Sequence, residues 1–302
     1  MSPPPSGTPT SRTSCPTDML LVDGSYCEAL RVDCLESRPS SEKTRQVCLR
    51  VKEPTVCEGP RRPMRFCIDR FEFPNRAGVR PMVMQNFYQA QVHCAARGTR
   101  VCTESEWTKA CEGPADKPFP YGYVRDPARC RGDQPWDFPN AARVLARDPA
   151  ELERLWQGVL SGSQPGCVSD YGVHDLTGNA DELAASEVHV RERMVVRGRE
   201  FGADFDNVTT GGPWYIGVRN QCRPKIRTHD ESFAYYYLSW RCCAEPDGAP
   251  TDPRAPKQRE RNEPWERIVE RAHHSWKLPF NPTLPGDPSD DASGRERPAP
   301  AP

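Results

Sequence analysis

QAQVHCAARGTRVCTESEWTKACEGP, residues 89–114, holds the local signals from which the rest of the chain can be read. Over residues 85–98, Phe87, Ala90, Val92 and Cys94 stand at mixed spacing ahead of Gly98, which predicts a short helix capped by that glycine. Thr103-Glu104-Ser105-Glu106 in front of Trp107 has the form of a capping box: the Thr103 hydroxyl accepts from the Glu106 amide, and the Glu106 carboxylate reaches back to the Thr103 amide. A second helix is therefore expected from about Glu104 to Cys111.

Outward from this stretch, the cysteine count decides the setting. The chain of 302 residues has 14 cysteines, none in a C-x-x-C pair; the tightest are Cys242-Cys243 and the C-x6-C of Cys27 and Cys34. Zinc sites want closer or histidine-bearing spacings, so an even count read this way predicts disulfides and an oxidising, extracytoplasmic compartment. MSPPPSGTPTSRTSC shows no apolar leader segment, so the expectation carries with it a removed leader or a start placed downstream of one. No run of about 18 apolar residues is present, and no transmembrane span is expected. With 41 basic and 42 acidic side chains there is no global basic field to hold a nucleic acid. The 33 prolines and 21 glycines argue against an all-helical enzyme and for a loop-rich body.

The chain divides into three regions. Residues 1–14 are a Pro/Ser/Thr segment expected to be disordered and suited to a tether; residues 15–245 form the domain; residues 246–302 are a low-complexity linker and tail around one short helix at 264–276, with Trp265, Ile268, Val269 and Trp276 as its apolar stripe. Inside the domain, Met19–Cys27 reads as strand, glycine turn and strand, and residues 62–75 repeat the pattern. Between them Cys34, Cys48 and Cys57 lie in a stapled loop. Residues 112–170 are loop-dominated apart from a short helix within 143–156. Residues 194–204, 217–227 and 232–245 are rich in β-branched and aromatic side chains and read as strands of one small sheet.

CIDRFEFPN (67–75), residues 89–114, FPYG (119–122), YGVHDLTGNADE (171–182), VVRG (195–198) and WRCC (240–243), in that order, resemble the formylglycine-generating enzyme, or sulfatase-modifying factor, family. The resemblance runs over roughly residues 15–245 and implies an α+β, loop-rich, disulfide-stapled domain of the C-type-lectin-like kind. It also implies bridges Cys111–Cys222 and Cys94–Cys242; Cys130–Cys167 and Cys102–Cys243 are further pairings expected, while Cys15, Cys27, Cys34, Cys48, Cys57 and Cys67 remain unassigned.

In that family two cysteines spaced C-x4-C after a strand ending in Arg-Gly-Gly bind copper and oxidise a substrate cysteine, because soft thiolates hold Cu(I). Here the strand is residues 194–198, the first of those cysteines falls near Ala203 by register, and no cysteine occurs between Cys167 and Cys222. No copper is expected. Residues 175–182 resemble the family's calcium loop, which would supply the carbonyls of Asp175, Gly178 and Ala180 and the Glu182 carboxylate, hard oxygens of the kind calcium takes. A plain Gly-Asn turn with solvated acids is the alternative.

His93 and His174 read as fold residues rather than bases. The aromatic residues Trp214, Tyr215 and Tyr235–Tyr237 could line a groove but in a small domain more often build a core. The sequence thus predicts a secreted or surface-tethered protein, a bacterial lipoprotein in type, that binds a protein, peptide or glycan as an accessory module. The first alternative is an enzyme of different chemistry on the same scaffold, with Arg197, Asp204, Asp206 and Trp214 lining its groove. The second is a true sulfatase activator.

Overall fold

The computed structural model describes residues 15–40, 45–190, 192–196 and 199–276. Helix α1 (Phe87–Ala95) starts from a reciprocal cap: Asn86 Oδ1 accepts from the Gln89 amide at 3.0 Å and Gln89 Oε1 from the Asn86 amide at 2.9 Å. It stops at Ala95, and Gly98 follows in the left-handed region, its N–H donating to the Ala95 carbonyl at 2.9 Å. Helix α2 (Glu104–Glu112) begins at the Thr103 capping box, with Glu106 Oε2 taking the Thr103 amide at 2.8 Å. Glu106 also receives both Arg100 Nη atoms, at 2.7 and 2.6 Å. Trp107, Ala110 and Cys111 on α2 are sealed in the core.

The amino-terminal segment makes β1 (Met19–Cys27), β2 (Leu30–Arg31), β3 (Cys34–Pro39), β4 (Gln46–Val51), β5 (Val56–Cys57) and β6 (Arg61–Asp69). The predicted turn at Gly24 is absent: β1 runs unbroken against β6, with Gly24 opposite Met64. A Cβ at Gly24 would stand 2.6 Å from the Tyr171 hydroxyl, so close approach, not a turn, asks for glycine there. The stretch expected to be a stapled loop is two antiparallel ladders, β2 with β5 and β3 with β4. Adding β7 (Arg100–Val101) and a late strand, Cys242–Ala244, the first four-stranded sheet has the order β1, β6, Cys242–Ala244, β7. Its inner face carries Val22, Phe66 and Ile68 against Trp107.

Helices α3 (Ala141–Leu145) and α4 (Pro149–Leu155) lie in the long irregular region, followed by β8 (Asp181–Ala185), β9 (Glu192–Val196), β10 (Arg199–Ala203), β11 (Asn207–Thr210), β12 (Lys225–Ile226), β13 (Leu238–Trp240) and β14 (Cys242–Ala244). The three late segments do not share one sheet. Of residues 194–204, those in β9 and β10 pair antiparallel with each other in a sheet of their own. Only Lys225 and Ile226 of 217–227 join β11, because the Cys222 bond to Cys111 and its amide bond to the Pro118 carbonyl (2.9 Å) pin the rest to α2. Residues 232–245 divide: β13 runs parallel to β8 and β14 enters the first sheet. The second sheet is therefore β12, β11, β8, β13, joined to the first by the Ala185 amide on the Cys102 carbonyl at 2.8 Å.

Seven disulfides account for all 14 cysteines: Cys15–Cys67, Cys27–Cys57, Cys34–Cys48, Cys94–Cys242, Cys102–Cys243, Cys111–Cys222 and Cys130–Cys167. The adjacent Cys242 and Cys243 alternate faces of β14, as successive strand residues must, so one bonds α1 and the other the strand-to-helix turn before α2.

Residues 251–258, within the stretch that composition reads as linker, are instead packed. In α5 (Pro256–Glu260) Gln258 is buried and exchanges amide hydrogen bonds with Gln91 at 2.7 and 3.2 Å. The last helix, α6 (Trp265–Trp276), lays Ile268 and Ala272 on α1, and Asn86 Nδ2 donates to Ser275 Oγ at 2.8 Å. Polar residues can be interior here because each finds a partner.

Candidate functional site

β8 and β11 pair antiparallel, Glu182 opposite Thr210 and Ala185 opposite Asn207. The loop 175–182 feeds one end of this pair. Asp175, Gly178 and Asn179 all have positive φ, and a Cβ on Gly178 would lie 2.3 Å from the Arg131 carbonyl oxygen. Backbone bonds fix the loop to its surroundings: Gly178 N–H to the Gly211 carbonyl (3.1 Å), Asn179 N–H to the Arg131 carbonyl (2.8 Å) and Trp214 N–H to the Asn179 carbonyl (3.0 Å). The Asn179 side chain donates to Glu72 at 2.7 Å, and Glu72 takes the Ser161 hydroxyl on its other oxygen at 2.8 Å.

The residues present do not fit calcium. Glu182, the one side-chain ligand expected, is buried and takes Arg241 Nε on both oxygens at 3.0 and 2.9 Å and Trp107 Nε1 at 3.0 Å. The remaining Arg241 nitrogens receive no acids: Nη1 donates to the Arg70 carbonyl at 3.0 Å and Nη2 to the His174 carbonyl at 2.5 Å. A guanidinium thus sits among one carboxylate and two carbonyls, the oxygen set a hard cation would need, and would repel one placed beside it. The solvated-acid alternative fails as well, since Asp175 and Glu182 are both buried. Burial raises the Glu182 carboxyl while Arg241 pulls it down. Burial and the nearby Glu72 push Asp175 up to about 7; its Oδ2 accepts from the Gly162 amide at 2.7 Å and its Oδ1 has no hydrogen-bond partner among the described residues. Sequence reasoning missed Arg241, although it stands inside the WRCC motif used for the resemblance. Only the parallel pairing of β13 with β8 brings it to Glu182.

The other end of the β8–β11 pair opens on a cleft of about 560 Å³. Ala203, where the resemblance leads one to expect the first oxidase cysteine, lines it together with Asp204 and Asp206. Trp214 does not: it is buried against Trp156 (ring centroids 4.8 Å apart) and Tyr236 (6.2 Å), a core residue rather than a groove residue. Arg197 lies outside the described residues. His93 is likewise core, between Phe73 and Trp240, and burial takes it down to about 4.

The cleft has a clamp that sequence reading did not find. Asp204 is held by Lys257 Nζ and by His189 Nδ1 at 2.5 Å, while His189 Nε2 meets Glu260 at 2.8 Å. Lys257 also donates to the Phe205 carbonyl at 2.7 Å, and Arg261 reaches Asp206 at 2.6 Å. The hydrogen bonds from Asp204 and Glu260 hold the His189 imidazolium in place and raise its titration above the usual histidine value. Among the described residues no group of three or more His, Cys, Asp or Glu side chains is disposed to hold a metal.

Two stapled sheets, short capped helices and the loop 175–182 define an α+β scaffold of the formylglycine-generating-enzyme kind. The chain belongs to the sulfatase-modifying factor enzyme 1-like domain family, which it matches over residues 64–242. A curated relative, the inactive C-alpha-formylglycine-generating enzyme 2 of Bos taurus, is 31% identical over 121 residues, 39% of this chain and 37% of that protein; the chain thus spans little over a third of it. Among solved structures, PvdO from Pseudomonas aeruginosa is similar at 15% identity and a TM-score of 0.46, over 75% of this chain and 94% of that one. CarF is similar at 12% identity and a TM-score of 0.42, over 76% and 98%. No helix among the described residues is long and apolar enough to cross a membrane.

Proposed function

We propose that this chain is an extracytoplasmic binding or accessory module that uses the sulfatase-modifying factor scaffold without its copper oxidase. The observation that carries the reading is at the cleft: Ala203 stands where the first oxidase cysteine is expected, and every cysteine of the chain is committed to a disulfide. A sulfur in a disulfide is neither a thiolate nor a Cu(I) ligand. The relative whose own name calls it inactive supports the same direction. Seven disulfides suit an oxidising compartment, whether the chain is secreted or held as a surface lipoprotein by its amino-terminal segment. The partner is a protein, peptide or glycan reached through the cleft.

The test is incubation with a Cys-x-Pro-x-Arg peptide, copper, oxygen and reductant, followed by mass spectrometry. Unaltered peptide is expected. Loss of the thiol with gain of an aldehyde overturns the reading and restores the sulfatase activator. The other alternative, a different chemistry at the same cleft, is favoured by one feature: Asp204 and His189 are in direct contact there. Both are saturated by Lys257 and Glu260, which leaves neither free to act as a base.

A further inference from the structure

The family match ends at residue 242, yet the cleft beside Ala203 is closed by residues well beyond that point. One wall comes from the family domain through Tyr88, Phe205, Asp206 and Glu231; the other comes from the arm of α5 and α6 through Arg261, Glu263, Arg267 and Arg271. At about 560 Å³ the space suits a small ligand.

An accounting of its charges shows what that ligand must carry. Asp204 is taken by Lys257 and His189, and Asp206 by Arg261. Glu263 is taken by Arg261 at 3.3 Å and Arg271 at 2.9 Å, and Arg271 also donates to the Tyr88 hydroxyl at 3.0 Å. Two groups are left over, one of each sign. The Glu231 carboxylate accepts backbone amides alone, that of Asp206 at 2.5 Å and its own, and has no cation beside it among the described residues. Arg267, exposed on the first turn of α6, has no carboxylate partner among the described residues. A half-buried carboxylate and a guanidinium left unmatched in one cleft are complementary to a ligand that brings an ammonium and a carboxylate of its own.

We propose that the cleft binds a small zwitterion, a free amino acid or a dipeptide, with its ammonium on Glu231, its carboxylate on Arg267 and an apolar side chain against Tyr88 and Phe205. The assignment deepens the binding-module reading and rests on it. It also gives the arm a purpose: the matched domain alone would supply the anion of the site without its cation.

Calorimetric titration of the full chain tests it, with L-phenylalanine and L-phenylalanyl-L-leucine as probes, each also in N-acetylated and C-amidated form. At least one zwitterion should bind saturably, and removing either ligand charge should weaken it tenfold or more. Arg267→Gln should abolish the penalty for amidation and leave that for acetylation; Glu231→Gln should do the reverse. Absence of saturable binding by both zwitterions, or full charge discrimination in the two variants, overturns the proposal. Should Glu231→Gln lose its native circular dichroism, Arg267→Gln, on an exposed surface, carries the test alone. Formylglycine formed in the peptide assay would sink the binding-module reading whatever the titration shows, whereas a silent peptide assay with a failed titration removes only the zwitterion.

Discussion

The two ends of the β8–β11 pair, about 10 Å apart by strand rise, have opposite characters. At the Glu182 end the buried carboxylate and the neighbouring carbonyls are filled by the protein's own side chains, with Arg241 at the centre. At the Asn207 end Ala203 lines a cleft that stays open behind a clamp of surface charges. One end is closed by its own ion pairs and the other keeps an open cleft. One strand pair can thus be closed by internal charge pairing at one end and left open at the other, so membership of the family does not by itself set the chemistry of the cleft.

Breaking the sealed end should have the largest effect. Arg241→Met leaves the Glu182 carboxylate buried without its cation, which should cost about 3–5 kcal/mol in chemical denaturation. The double variant with Glu182→Gln should recover much of it, because no uncompensated charge is then left inside. A loss below about 1 kcal/mol for the single variant would remove the distinction between the two ends.

An intermediate effect is expected at Asp175, and it depends on pH. Its folded value, about 7, lies above the ordinary 3.8, so the stability it contributes is complete below about pH 4 and is lost as pH rises through 7. Asp175→Asn, at a position whose positive φ asparagine also tolerates, should leave Tm little changed at pH 4 and raise it at pH 8, in step with a gain on the order of 2 kcal/mol in unfolding free energy. Equal Tm shifts at the two pH values would mean that this carboxyl does not titrate on unfolding.

The smallest effect belongs to the open end. His189 is exposed and faces Asp204 through Nδ1 and Glu260 through Nε2, with Lys257 on the far side of Asp204. Its charge holds α5 most firmly below its usual value of 6.5, and the hold is lost as pH rises through the raised folded value. His189→Gln should leave Tm unchanged while abolishing the pH dependence of amide-exchange protection in Pro256–Glu260. A fall in global Tm would show that the clamp belongs to the fold rather than to the cleft.

Much of the scaffold was legible in the sequence itself. The Thr103 capping box reads directly because its partners are three residues apart, and an even cysteine count with no metal spacing reads as disulfides because the chemistry of the residue type leaves few options. The missing thiolate near Ala203 is also a sequence fact, since an absent residue needs no geometry to be absent. What failed were readings that depend on partners far along the chain. Gly24 looked like a turn because the Tyr171 hydroxyl that crowds it is 147 positions away. Glu182 looked like a calcium ligand because Arg241 is 59 positions on, and Trp214 looked like groove because Trp156 and Tyr236 are also remote. The polar stretch after Glu245 looked like linker because composition reports solvation preference, and not whether Lys257 and Gln258 will meet Asp204 and Gln91. Composition, caps and cysteine chemistry act over a few residues or none, so the sequence alone determined the family, the stapling and the absence of a cysteine between Cys167 and Cys222. Charge pairing and close packing act through space, so only the tertiary structure decided that an arginine occupies the loop and that the arm completes the cleft.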